Sequence, residues 1–241
     1  NSIGVAGVAY GAKIMPVKVL DSSGTGTTQS VADGIVWAAN NGAKVINLSL
    51  GSSTPSSLLG DAVNYAYNNG VVVVASSGND NAGSVSYPAA YTNAIAVGAT
   101  RYDQTRAPYS NYGSALDLVA PGGDTTVDQN GDGYPDGVLQ QTFATGNPTA
   151  FGYYFLNGTS MAAPHVSGVA ALVIAKGVAT TPDQVRQALQ ATAKDLGTSG
   201  WDQYYGYGLV QAYAALTFSA PLSASYSVSP PTSWTAGQSQ T

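Results

Sequence analysis

Asn157-Gly158-Thr159-Ser160 stands at the head of an apolar run, Thr159 to Lys176, that reads as a helix. A serine there has its own N–H unpaired and sits at the positive end of the helix dipole. Those conditions stabilise an oxyanion. The plainer alternative is that Thr159 or Ser160 simply caps the helix, the commonest use of such residues. Two candidate strands also end in small polar groups, Asn47-Leu48-Ser49-Leu50-Gly51 and Ala75-Ser76-Ser77-Gly78-Asn79. In a parallel sheet the C-terminal strand ends form the binding crevice.

A second constellation is Asp128-Gln129-Asn130-Gly131-Asp132-Gly133-Tyr134-Pro135-Asp136-Gly137. Asp128, Asn130, Asp132 and Asp136 fall at positions 1, 3, 5 and 9 of an EF-hand-like loop, with glycine at 6 and the Tyr134 carbonyl at 7. Hard oxygens at this spacing suit one Ca²⁺, and without a cation the three aspartates would repel. Leu139 stands where the bidentate Glu belongs, so another ligand is needed, Asp124 or a water. The alternative is a solvated acidic loop.

The chain must supply elements that hold these groups. Thr28 to Asn40 and Leu58 to Asn68 carry helical apolar spacing. Each is followed by Gly and then an apolar run, Lys44 to Leu50 and Val71 to Ala75. The strings AANNGAKVINLSLG and AYNNGVVVVASSGN thus repeat one helix–turn–strand unit. Lys13 to Leu20 reads as a further buried strand, and Ala94 to Ala99 and Leu116 to Ala120 as two more. Alternating helices and continuous apolar strands predict a parallel sheet with helices on both faces. Thr159 to Lys176 has almost no polar face and is expected to be buried all round. Thr181-Pro182-Asp183-Gln184 is a capping box that starts another helix. From Phe218 the composition turns to Ser and Pro, so 218–241 reads as a linker and the possible start of a following β-domain.

Composition narrows the chemistry. Only 9% of the 241 residues are charged, against roughly 25% in ordinary soluble domains. The net charge of −5 argues against a nucleic-acid partner. No apolar run is long enough for a membrane helix. Zero cysteines excludes disulfides and thiolate metal sites. The one histidine, His165, follows Ser160 by five residues. On a helix that is roughly 140° around the axis and about 7.5 Å along it, so it points away from Ser160.

The string Asn157-Gly-Thr-Ser-Met-Ala-Ala-Pro-His165-Val-Ser-Gly168 closely resembles the nucleophile segment of subtilisin-like serine proteases. NSIGVAGVAYGAKIMPVKVL, NLSLG, VVVVASSGN, YPAAY, LDLVAPG and YGYGLVQAYAAL are similar to subtilase segments, in the family's order, over about residues 1 to 217. The resemblance implies an α/β fold with a doubly wound, mostly parallel sheet. It implies that Ser160 is the nucleophile, Asn79 the amide donor to the oxyanion and Thr159 a support for that hole. Ser49, Leu50 and Gly51, with Ser76, Ser77 and Gly78, would wall the main specificity pocket. Ser86, before Tyr87-Pro88, falls where many relatives have glycine at the pocket base. Gly24, Thr25 and Gly26 match the edge that pairs with substrate backbone as an added strand. The Asn1 side chain and the Ile3 and Val5 carbonyls match part of a second calcium loop, against the alternative of an ordinary frayed terminus.

The base and its orienting carboxylate, which a serine nucleophile needs, lie in family segments that are expected to precede Asn1. The expectation is therefore a secreted, extracellular, calcium-stabilised serine endopeptidase, seen here as the C-terminal part of its peptidase domain, 1–217. Its partners would be polypeptide substrates and the missing N-terminal part of the same domain, with no nucleic acid and no membrane. Alone, this part is expected to be inactive. The rivals are a peptide-binding pseudoenzyme and a calcium-dependent surface module; neither needs a nucleophile or an oxyanion donor.

Overall fold

The computed structural model describes residues 5–144 and 146–219. A parallel sheet holds four strands in chain order, β1 (Val45–Leu48), β2 (Val72–Ser76), β3 (Ala94–Thr100) and β4 (Leu118–Pro121). Helices α1 (Thr28–Asn40) and α2 (Ser57–Asn68) cover one face. Helices α3 (Thr159–Lys176) and α4 (Pro182–Ala191) cover the other, with the short α5 (Ala212–Leu216) beside α3. Side chains alternate across a strand, so β2 serves both layers. Val73 and Ala75 join the α1/α2 core; Val72 and Val74 join the α3/α4 core. Every β2 residue is buried, and each fully buried valine or leucine in such a layer is worth about 1.5–3 kcal/mol.

Local chemistry sets the helix ends. Thr27 and Ser30 cap α1 reciprocally, and Thr181 and Gln184 cap α4 in the predicted way. Asp117, just before β4, accepts from the Ala96 N–H and from Gln190, and pairs with Arg186. That ties α4 to the sheet.

Two expectations need correction, and one element was not foreseen. Lys13 to Leu20 is no buried strand: it is mostly exposed and pairs with none of the described strands. Its alternating apolar residues find a helix instead. Val17, Val19 and Leu20 rest on the α1/α2 core, where a β-carbon on Gly34 would fall 2.3 Å from Val19 Cγ1. Helix α3 is not buried all round. Ala162, Ala163, Val166, Val169, Ala170 and Val173 are, while Pro164, Ala175 and Lys176 are exposed. The acidic loop is followed by an antiparallel hairpin that the sequence reading missed, β5 (Val138–Ala144) and β6 (Asn147–Leu156). β6 delivers the chain to Asn157. The proposed β-domain start lies largely in 220–241, outside the described residues.

Asp124 closes the base of the loop that leads into this hairpin. It pairs backbone to backbone with Asp136. Its carboxylate, 2% exposed, accepts from Arg101 Nε at 2.8 Å and from the Thr126 hydroxyl at 2.6 Å. Burial pushes this carboxyl up, but the Thr126 hydrogen bonds and the Arg101 charge outweigh it and hold the group below 3.8. A carboxyl lowered on folding stabilises above its unfolded value and loses that contribution as pH falls through its folded one. Asp124→Asn should cost about 1–3 kcal/mol at neutral pH and flatten the acid limb of a stability profile from urea unfolding. A variant with the wild-type acid slope would contradict this role.

Candidate active site

The C-terminal ends of β1 and β2 meet the first turn of α3. Thr159 is fully buried and donates twice to Asn79 Oδ1, from its backbone N and from Oγ1, both at 2.9 Å. The Thr159 hydroxyl also accepts from the Gly78 N–H at 3.3 Å. With its oxygen held this way, the Asn79 amide must face the opposite direction. Asn79 itself is exposed, and its Nδ2 donates to no other described residue.

Below it, the turn into α3 is fixed from β4. Gly158 N–H donates to the Gly122 carbonyl at 3.0 Å, and the Asn157 side-chain oxygen accepts from Thr125 at 2.6 Å. The Tyr109 hydroxyl donates to the Gly123 carbonyl, and burial pushes its ionisation up to about 12, so it remains a donor. Gly158 has φ +148°, and a β-carbon there would lie 3.6 Å from both Asn79 Nδ2 and Ser160 N. The two donors thus flank one small space. Ser160 N–H and the Ser160 hydroxyl make no hydrogen bond to another described residue, and Ser160 is half-buried. These are the features of an oxyanion-binding first turn with its serine beside it. The capping alternative fails in detail, because α3 has Gly158 at its N-cap and no side-chain cap.

The small-residue segments come together on the β1/β2 side. Ser86 N–H donates to the Ser77 carbonyl at 2.8 Å, and Ser52 and Tyr87 exchange backbone hydrogen bonds. A β-carbon on Gly51 would lie 3.3 Å from Ser86 Cβ, and one on Gly78 2.5 Å from Ser86 Oγ. Ser86 therefore sits between Gly51 and Gly78. Ser76 and Ser77 are buried; Leu50 is half-buried and Ser49 exposed. Sequence reasoning missed Asn111, which organises this region. It is buried, and its side-chain oxygen accepts from the Asp80 and Ala82 N–H groups at 2.8 and 3.0 Å. In Tyr-Ser-Asn-Tyr-Gly it reads only as a turn residue, so no sequence signal marks it.

Other predicted groups lie apart. Gly24, Thr25 and Gly26 are exposed, in a loop held by the Asp21 carboxylate, which accepts from the Ser23 and Thr25 N–H groups. No hydrogen bond links them to Ser160 or Asn79. His165 is half-buried, and its Nδ1 donates to the Met161 carbonyl at 2.8 Å.

In the acidic loop, Asp128 accepts from the Gly131, Asp132 and Gly133 N–H groups. Asp132 accepts from the Asn130 amide and the Tyr134 N–H, and Asp136 from the Gln129 N–H. The donor set is all oxygen, which suits a hard cation. Among the described residues no three acidic or histidine side chains converge on a point. Asp124 is no spare ligand, since Arg101 and Thr126 occupy it. Asn1 and Ile3 lie outside the described residues, and Val5 is exposed. Among the described residues no helix is long and apolar enough to cross a membrane.

Comparison with known proteins places this arrangement. A family model described as the Subtilase family matches residues 1–208. The chain is 50% identical over 215 residues to the M-protease of Shouchella clausii and to subtilisin Savinase of Lederbergia lenta. It covers 51% of the former and 72% of the latter, with 89% of its own length in each match. It therefore spans about half the length of the M-protease. A solved protease structure from Pseudoalteromonas arctica superposes with a TM-score of 0.78 at 40% identity, over 88% of this chain and 65% of that one. The chain belongs to the subtilase family and has its α/β fold.

Proposed function

We propose that this chain carries the nucleophile, the oxyanion hole and the specificity pocket of a secreted serine endopeptidase. One observation carries the reading: Asn79 Nδ2 and Ser160 N lie at the same 3.6 Å from one point beside the Ser160 turn. Thr159 holds the Asn79 oxygen from two sides, which leaves Nδ2 and the neighbouring Ser160 N–H as free donors among the described residues, and two such donors beside a serine suit the oxygen of a tetrahedral intermediate.

The chemistry is acyl transfer. Ser160 Oγ attacks the peptide carbonyl, and the carbonyl oxygen gains charge between Asn79 Nδ2 and Ser160 N–H. The C–N bond then breaks, the amine leaves with a proton, and water hydrolyses the acyl-enzyme. A base must take the serine proton. His165 is not placed to do so: five residues along α3 it lies roughly 140° around the helix axis from Ser160, and the chain has no other histidine. The base and its carboxylate are assigned to a preceding part of the same domain. In the full-length protein, Ser160→Ala should abolish turnover, and Asn79→Ala should lower kcat by about 10²–10³. This chain alone should show only trace peptidase activity. Robust serine-dependent turnover by residues 1–241 would contradict the assignment of the base.

The pocket between Ser49–Gly51 and Ser76–Gly78, with Ser86 at its base, has no charged side chain of these segments to pair a substrate charge. A buried unpaired charge is costly. Gly24, Thr25 and Gly26 would offer backbone to the extended substrate. Cleavage in a peptide library should follow large apolar or aromatic residues. A profile dominated by Lys or Arg would contradict the pocket.

The loop is proposed to take one structural calcium through Asp128, Asn130, Asp132, Asp136 and the Tyr134 carbonyl. The ion would supply charge neutralisation at the base of the hairpin that leads to Ser160. Calorimetric titration should show one site that disappears in Asp132→Ala, with affinity in the weak extracellular range of about 10⁻⁴–10⁻³ M. Unchanged binding in the variant would rule the site out.

A further inference from the structure

The Ser160 carbonyl lies in the first turn of α3. In a continuous helix it would accept from the N–H of residue 164. Residue 164 is proline, which has no N–H. The carbonyl accepts instead from the Ser49 hydroxyl, at 2.8 Å, across to the end of β1.

Ser49 is itself held. Its oxygen accepts from Asn47 Nδ2 at 2.9 Å, and Asn47 Oδ1 accepts from the Ser167 hydroxyl at 2.9 Å. The Ala163 carbonyl is also within reach of Ser167 Oγ, at 3.1 Å, but that carbonyl is the ordinary helical partner of the Ser167 N–H. The hydroxyl proton is thus available to Asn47. The ring is closed: Ser160, Ser49, Asn47, Ser167 and back along α3. Asn47 lies in β1 and Ser49 directly follows its last residue, Leu48, while 160 and 167 share one face of α3 two turns apart.

We infer that Ser49 is a positioning residue for Ser160. Its hydroxyl replaces the helical hydrogen bond that Pro164 removes, and Asn47 and Ser167 keep it aimed. This rests on the serine-nucleophile reading above and adds to it a second duty for a residue of the pocket wall. Without the hydroxyl, the Ser160 carbonyl loses its partner and the turn that carries the nucleophile is free to shift. Small displacements of a reacting group cost rate rather than binding.

The test uses the full-length protein and diisopropyl fluorophosphate, which phosphorylates an activated serine and is too small to need the specificity pocket. Ser49→Ala should slow phosphorylation and lower kcat on a peptide amide by about three- to thirtyfold, while KM stays within about twofold. Pro164→Ala in that background restores an N–H to the Ser160 carbonyl and should recover most of the loss. Ser167→Ala, which leaves pocket and proline intact, should give a smaller loss of the same kind. A wild-type rate of phosphorylation in Ser49→Ala, or a loss confined to KM, overturns the positioning role. So does failure of a folded Ser49→Ala/Pro164→Ala double variant to recover, or of Ser167→Ala to slow the reaction at all. A wild-type protein inert to the reagent would instead sink the protease reading itself.

Discussion

Two hydrogen bonds from Thr159 to the side-chain oxygen of Asn79 bind the end of β2 to the start of α3. The rest of the site depends on them. A side-chain amide has one accepting and one donating end, so fixing the oxygen fixes where the NH₂ points. Thr159 is fully buried and cannot swing away. The donor is therefore preorganised, which is what gives an oxyanion hole its advantage over water. The same clasp brings together residues 80 positions apart in the chain, so it exists only when the parallel sheet and α3 are both in place.

The other elements hold that clasp in register. β4 fixes Gly158 through Gly122, and Thr125 fixes Asn157. β1 reaches α3 through Ser49 and Asn47. Asn111 secures the β2 loop from behind by accepting two of its N–H groups. The first turn of α3 is thus tied to three strands of the sheet, and Gly51, Gly78 and Ser86 beside it are all small and closely spaced. Gly78 shows how tight this is: its φ of +107° and the 2.3 Å between a β-carbon there and Asn111 Nδ2 leave no room for a side chain.

The framework was legible in the sequence because the periodic signals were strong, while the roles of Ser160, Asn79 and Thr159 came only through the family resemblance. Helices α1 and α3 run over the spans that apolar spacing and their terminal residues predict, and the repeated helix–turn–strand unit announces β1 and β2. Other features escaped for physical reasons. Lys13 to Leu20 alternates like a strand, but one-sided packing on α1 satisfies that pattern equally well. The β5–β6 hairpin alternates too, yet its exposed face carries Leu139, Phe143, Phe151 and Tyr153, so no hydrophobic-in, polar-out rhythm marks it. Asn111 and the Ser49–Asn47–Ser167 ring depend on contacts between distant segments, which no local pattern encodes.

The central claim is that Asn79 Nδ2 and Ser160 N–H receive the oxyanion of an adduct on Ser160 Oγ. A crystal structure of the full-length protein with a peptide boronic acid bearing a large apolar side chain tests it directly. The account predicts a tetrahedral boron bonded to Ser160 Oγ, with one boronate oxygen about 2.7–3.1 Å from both donors and the side chain between Ser49–Gly51 and Ser76–Gly78. A boronate bound to another residue, or one whose oxygen turns away from Asn79, would contradict it.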